Sequence, residues 1–441
     1  VAIRVSTLVA DGTVEIAVEL GVGRSALEGV WDSAVWGTNV WGQSDTSLGD
    51  WVDFTCDVVD ESLSTTSGTD QTDGVVTHWA AATCSLRLLG PAWDPWHGPY
   101  AGLAGPGLPV RIRWRPATGM AALAGIADDE EDLDASGWQF AFVGAVDDEG
   151  YNWNPQTDPA RSYAALAATD GTRILSAFDG LEQNPQGAQE TASQRVTRIL
   201  DTALWSATLR DITAGGVAVQ ATTLADNAWT MLLQVADTDL ALLWIRRDGY
   251  VCYRPLGRIK SMVAVDATIA VCPADSSQIQ MVDMEGGQPT VTRNIVSISR
   301  QARDETDTPV TITRTDDESV ARFLPHTYQR TDLIHWDDDW SGVIADAVLA
   351  GSAWPRDAPQ SVELNSRVDP RAAQLLLGLD FDHRLTITDG VSAWQVAPSA
   401  FSDVQINRRE ITGVIALLDM SAWASGAWDT AKWDIDQWGY I

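Results

Sequence analysis

The stretch from Thr83 to Arg115, TCSLRLLGPAWDPWHGPYAGLAGPGLPVRIRWR, limits the possible folds more than any other part of the chain. It begins with CSLRLL, where polar and apolar residues alternate and turn Leu86 and one strand face inward. It ends in Val110-Arg111-Ile112-Arg113-Trp114, a second alternating strand. Between them stand Pro91, Pro95, Gly98, Pro99, Gly102, Gly105, Pro106, Gly107 and Pro109. Proline removes a backbone donor and glycine weakens a strand, so neither helix nor sheet interior fits there. An ordered loop over the surface, tying two strands, is the remaining solution.

With 441 residues, the chain has room for two to four domains and a sizeable core. Its 29 basic and 61 acidic residues leave a net charge of −32. Such a surface repels phosphate, which argues against gripping nucleic acid or an anionic membrane. DNA could still pass close by without sticking. Lys260 and Lys432 are the only lysines. The 21 tryptophans offer large rigid area with one donor each, a composition suited to interfaces. Cys56, Cys84, Cys252 and Cys272 form no CxxC pair, so free thiols and no zinc site are expected, with Cys56 and Cys84 in strand-like runs. No apolar run reaches ~18 residues, so no membrane span is expected. Arg4, Asp11, Glu15 and Glu19 leave the N-terminus unlike a signal peptide.

Taken in order, residues 1–20 read as a hairpin about Asp11-Gly12, with Val14, Ile16, Val18 and Leu20 on one face. Trp51–Asp57 reads as a strand, 60–74 as a loop, 127–137 as an acidic loop and Trp138–Val146 as a buried strand. Another strand region is expected over 164–178. A helix follows from Thr191 to Trp205, with Thr191 and Gln194 as a capping box. A second runs from about Asn227 to Ala236, then a hairpin turns at Asp248-Gly249. Residues 291–315 read as strand, acidic turn and returning strand. Trp340–Ala350 reads as a short helix. Ser361–Leu364, Arg384–Thr388, Ala393–Ala397 and Glu410–Leu418 read as the remaining strands.

Tryptophans recur every five residues at Trp31, Trp36 and Trp41, and again at Trp423, Trp428, Trp433 and Trp438. Five matches neither the helical period of 3.6 nor the strand period of 2. Short turn-containing units, each docking one Trp, are expected. They serve as clasps for the chain ends, as a contact surface for a neighbouring protein, or as both.

Several ordered patterns together resemble the minor tail or baseplate-hub proteins of tailed bacteriophages. The central loop carries Asp94-Pro95, Gly98-Pro99-Tyr100, Pro106-Gly107 and Pro109 to Arg113. Phe142, Gly144, Val146, Asp147 and Asp148 match an F-x-G-x-V-D-D strand. Leu233, Gln234, Ala236, Asp237 and Thr238, then Arg247, Asp248, Gly249 and Arg254, match a helix–strand–R-D-G–strand order. Val291, Asn294, Val296, Ile298 and Arg300 match a further strand. Asp382 to Ile387 is similar to a G-D-R-V-T-V strand, with His383 as a departure, and Ala400-Phe401 departs from the family's next strand.

The resemblance implies a mainly β fold with an α/β insertion: two tail-tube-like β-barrel domains plus a mixed α/β segment. The expected division is 1–178 (first barrel with hairpin and Trp pentad), 179–290 (mixed α/β), 291–420 (second barrel) and 421–441 (Trp-rich docking tail). It implies a structural virion protein, made in the host cytoplasm and placed at the tail tip as a baseplate hub. There a homotrimer closes the tail tube, adapts sixfold to threefold symmetry and seats the tip. Implied partners are the tail tube or distal tail ring, the tape measure protein, and receptor-binding, tip or fibre proteins; DNA only transits. Interface candidates are Trp31, Trp36, Trp41, Trp93, Trp96, Tyr100, Trp423, Trp428, Trp433 and Trp438.

No enzyme is expected, and no catalytic, cofactor or metal residue is assigned. HExxH, GxSxG and Walker A sequences are absent. His335-Trp336-Asp337-Asp338-Asp339 and Asp304, Glu305 and Asp307 could offer ligands but lack EF-hand spacing. The rival reading is a secreted protein that binds or cleaves cell-wall glycans with its Trp surface.

Overall fold

The computed structural model describes residues 8–10, 12–21, 51–70, 78–101, 105–118, 120, 122–123, 126, 137–178, 187–255, 263–287, 292–355 and 358–419. The first Trp pentad, most of the acidic 127–137 stretch and the C-terminal pentad lie outside the described residues.

A hairpin of β1 (Leu8–Ala10) and β2 (Val14–Gly21) opens the chain, with Ala10 opposite Val14. Along the same edge of β2 lies β3 (Trp51–Asp53). Then come β4 (Leu63–Asp70), β5 (His78–Leu89), β6 (Pro109–Pro116), β7 (Gln139–Asn154) and β8 (Tyr163–Thr169). They pair antiparallel in the order β2-β6-β7-β8-β5-β4. Alternation explains the core: Ile16 faces Trp114, Val18 faces Ile112 and Leu20 faces Val110 across the β2–β6 ladder. All six are buried. Each such side chain contributes roughly 1.5–3 kcal/mol by leaving water.

Three local expectations fail in this unit. Residues 63–70 are a strand rather than a loop, held between β5 on one side and a late strand on the other. Two neighbours satisfy its backbone, which outweighs a Ser/Thr/Gly composition. The strand expected over 164–178 stops at Thr169, and α1 (Thr172–Ala177) follows. Asp170 starts that helix by accepting the Thr172 N–H (2.9 Å) and hydroxyl (2.6 Å). Cys56 also differs from expectation. It is exposed, in a 3-10 turn spanning Thr55–Asp57. Cys84 and Cys252 are buried, and all four thiols are free.

The middle segment contains β9 (Glu190–Thr191), α2 (Ala192–Thr202), β10 (Arg210–Ile212), β11 (Ala218–Val219), α3 (Ala228–Asp239), β12 (Leu242–Ile245) and β13 (Val251–Arg254). The Thr191–Gln194 capping box is formed, and Asn227 caps α3 through the Thr230 N–H. β12 and β13 make the expected hairpin.

The next strands, β14 (Val263–Ala270), β15 (Gln278–Gln280) and β16 (Asp283–Gly287), leave this segment. They pair instead with strands near the C-terminus. A separate small unit intervenes: β17 (Ile295–Arg300), β18 (Ile312–Thr315), α4 (Asp317–Phe323), β19 (Thr327–Leu333) and α5 (Asp339–Ser352). Its sheet order is β18-β17-β19, and Val296, Ile298, Tyr328, Ile344 and Val348 form its own core. The chain then returns through β20 (Ala358–Asn365), α6 (Ala372–Gly378), β21 (His383–Thr388), β22 (Ala393–Ile406) and β23 (Ile411–Asp419).

The C-terminal β-unit therefore combines 263–287 with 358–419, and the boundary expected at residue 290 does not separate its strands. β22 carries both units: β23 lines one edge, and β21 and then β4 line the other. The molecule is mainly β with α/β parts. Among the described residues the hydrogen-bonded path never returns to its start, so neither expected barrel is closed within one chain. No helix among the described residues is long and apolar enough to cross a membrane.

Candidate functional site

The central loop is built around Trp93, not displayed by it. Trp93 is fully buried, stacks on Tyr100 (centroids 4.9 Å) and meets Phe54 edge-on (4.7 Å). Its indole N–H donates to Asp57 at 3.3 Å, and its carbonyl accepts the Tyr151 hydroxyl. Trp93 therefore anchors the loop and is not available as a contact surface. Tyr100 is half-buried against the same cluster. Trp96, three residues on, is 72% exposed.

The turn that presents Trp96 is rigid. Asp94 accepts the N–H groups of Trp96 (2.8 Å) and His97 (3.1 Å), and His97 Nδ1 lies 3.3 Å from its other oxygen. The Trp96 N–H chiefly holds the Asp94 carboxyl below its ordinary range. A Cβ on Gly98 would sit 2.2 Å from the Ala92 carbonyl oxygen, so only glycine lets the turn close. Of the ten aromatic candidates, Trp93, Trp96 and Tyr100 are thus brought together. Trp31, Trp36, Trp41, Trp423, Trp428, Trp433 and Trp438 fall outside the described residues.

The motif on α3 joins units. Gln234 donates to the Asp332 carbonyl (3.2 Å), Asp237 pairs with Arg330 (3.0 Å), and the Thr238 hydroxyl accepts the Ile334 N–H (3.1 Å). These contacts fasten the small β17–β19 unit to the middle segment. Asp239 accepts the Tyr253 hydroxyl (2.5 Å) and the Val217 N–H (2.7 Å). Burial pushes its carboxyl up to about 6.

The R-D-G hairpin fastens the other side. Arg246 chelates Asp248, and Arg254 reaches Asp211 (2.7 Å) and Asp382 (3.4 Å). Arg247 donates to the Leu376 carbonyl and lies over the Phe401 ring. A small cleft beside it is lined by Thr65, Phe142, Asp170, Arg247 and Phe401, where both β-units and the hairpin meet. Just before β17, Asn294 accepts the His326 N–H (2.7 Å) and donates to the Leu324 carbonyl (2.7 Å). Gly144 lies where a Cβ would meet the Thr169 carbonyl oxygen at 2.4 Å.

The acid clusters are similarly engaged. His335 is buried, with Nδ1 at the Asp337 carbonyl (2.7 Å) and Nε2 at the Ser341 hydroxyl (3.1 Å). Burial pushes it down to about 4, so it is neutral at pH 7. Asp338 and Asp307 both pair with Arg300, whose hydrogen bond holds Asp307 far below the carboxylate range. Among the described residues, no group of three or more His, Cys, Asp or Glu side chains is gathered to hold a metal ion.

The sequence reading missed the ionic face of β2–β6. Glu19 accepts Arg111 Nε (2.6 Å) and Arg113 Nη2 (2.6 Å), and Glu15 pairs with Arg115. Arg111 lies over Trp51, and Arg115 over Trp138. Alternating Glu on one strand and alternating Arg on its neighbour was the available signal.

No family model matches the sequence, and no curated protein matches it. Solved structures do. A tail protein from Neisseria meningitidis MC58 superimposes with a TM-score of 0.51 at 10% identity, over 94% of this chain and 98% of that one. The 43 kDa tail protein of prophage MuSo2 from Shewanella oneidensis gives 0.54 at 11% identity, over 92% and 99%. The chain therefore has the fold of these tail proteins, shared along nearly the whole length of each.

Proposed function

We propose that this chain is a structural protein of a phage-type tail, seated at the tail tip as the baseplate hub. The observation that carries the reading is the shared fold with two tail proteins across nearly their full lengths. Three copies form a ring, each contributing two β-units of the tube type, so that a sixfold tube passes into a threefold tip. Two β-units joined through β4 and β22 suit that role, because heterologous contacts between similar units close a ring. The tail tube or distal tail ring lies above, with the tape measure protein, and receptor-binding, tip or fibre proteins lie below. Trp96 and the two Trp pentads are the proposed contact points. The protein is made in the host cytoplasm and built into the virion.

DNA passes through without binding. Three chains carry 3 × −32 = −96, so acids can face the channel. Phosphates would be repelled over a range of about 8 Å in physiological salt. The proposed role is structural, without hydrolytic turnover.

Light scattering and class averages of the purified protein test the ring directly. The expected result is a trimer with C3 symmetry and a net-acidic channel. A stable monomer or dimer, or a channel lined mainly by Arg, would overturn it. Turnover of purified cell wall, abolished by one carboxylate-to-amide change, would replace this reading with an enzymatic one.

A further inference from the structure

Parallel pairing gathers exposed valines at one end of the C-terminal β-unit. β14 lies between β15 and β21 and runs parallel to both, with Ala270 opposite Gln280 and Thr388. The three strands therefore finish at the same level, about 4.8 Å apart. Just beyond the ends of β14 and β21 stand Val271 and Val391, which are 40% and 94% exposed, while Val282, between β15 and β16, donates its N–H to the Glu363 carbonyl of β20 (2.9 Å). Cys272, also exposed, follows Val271 directly in the chain. Val391 tops a tight turn in which Asp389 accepts the N–H groups of Val391 and Ser392. These two bonds shape the turn, and they leave the valine at its tip in water.

The course of β23 says what covers this end. β23 runs antiparallel to β22, and its last residue, Asp419, lies opposite Val396. Only three residues separate Val396 from Ala393, where β22 leaves the Val391 turn. The chain therefore leaves β23 heading toward the valine end, about 10 Å short of it at strand rise. Residues 420–441 follow, and the first tryptophan, Trp423, comes four residues after Asp419. Four extended residues span about 13 Å, enough to reach Val391. The segment also carries Trp428, Trp433 and Trp438, an apolar content matched to an apolar seat.

We infer that the valine end formed by Val271 and Val391 is the docking seat of this chain's own C-terminal segment, with Trp423 as the group that covers it. The inference does not depend on the tail-tip role.

Lysine scarcity supplies the test. Lysyl endopeptidase can cut the chain only after Lys260 and Lys432, and Lys432 lies in the C-terminal segment. In the full chain, Val391→Asp should raise the cleavage rate at Lys432 by about tenfold, as expected for losing one buried valine contact. Cleavage at Lys260 should stay unchanged. An unchanged Lys432 rate overturns the inference. Ala424→Cys, which keeps Trp423, should on mild oxidation form a disulfide with Cys272 within one chain, read by peptide mass. A disulfide to Cys56, a bond joining two chains, or no bond at all would each overturn it.

Discussion

Trp340 donates its indole N–H to the carbonyl of Thr238, 2.9 Å away, although 102 residues of chain separate them. The same threonine accepts the Ile334 N–H through its hydroxyl. One residue at the end of α3 therefore holds both β19 and α5. The small unit has its own core, and this polar seam fixes its place together with Leu240, which packs against that core, and Ile334, which joins the main one.

Thr238→Val should expose the importance of that seam. The change keeps the side-chain shape but leaves the Ile334 N–H without its acceptor. An unsatisfied buried donor costs about 1–3 kcal/mol. Urea unfolding should show that loss. A midpoint equal to that of the parent chain would show that the seam is dispensable.

Glu19→Ala should be more damaging. Glu19 is buried and is shared by Arg111 and Arg113. Its removal leaves two largely buried guanidinium groups without that carboxylate, which costs about 3 kcal/mol or more. Thermal unfolding would register a lower midpoint, and a change within about 0.5 kcal/mol would contradict the ionic ladder as a structural element.

Asp239 predicts a pH dependence of definite sign. Burial raises its folded-state pKa from 3.8 to about 6. Between those values the folded chain binds the proton more tightly than the unfolded chain, so this group's contribution to stability falls as pH rises from about 4 to 6. Asn cannot titrate. The stability of Asp239→Asn relative to the parent should therefore improve by roughly 2 kcal/mol between pH 4 and pH 7. Denaturation curves at the two pH values give the difference directly, and a pH-independent difference would refute the assignment.

In the central loop, two substitutions should behave oppositely. Gly98→Ala forces a Cβ onto the Ala92 carbonyl and should lower stability by about 1–3 kcal/mol. Trp96→Ala removes an exposed side chain and should leave unfolding unchanged within about 0.5 kcal/mol. Under the proposed role it should still reduce incorporation into tails, counted by electron microscopy. Normal tails from Trp96→Ala would remove Trp96 from the contact surface.

The parts of this fold that were legible in sequence are those whose pattern is local. The β1–β2 hairpin, the α2 capping box and the Asp248-Gly249 turn each declare themselves within a few residues. The aromatic loop was also legible, but not the division of labour within it. Trp93 and Trp96 look alike in sequence, and only packing against Phe54 and Tyr151 sends one inward. What stayed hidden was set by distant partners. β4 has no apolar alternation beyond Leu63, and α6 is short. β19 carries Gln, Arg and Asp yet pairs parallel to β17. The motif on α3 was legible as a pattern, while its role as a seam depends on residues 330–340.

Synthesis order gives the β4–β22 pairing a temporal side. Thr65 and its neighbour Val404 are about 340 residues apart along the chain. At ribosomal speeds of about 5–20 residues per second, β4 waits roughly 20–70 seconds for its second neighbour. For that interval its outer edge presents unpaired N–H and C=O groups, the kind of edge that recruits strands from other nascent chains. Its sequence, LSTTSGTD, holds one large apolar side chain, a glycine and a terminal aspartate. That composition makes a poor template for aggregation. The hydrophilic character that disguises β4 as a loop is what lets an N-terminal strand remain unclaimed until the C-terminal part of the chain is made.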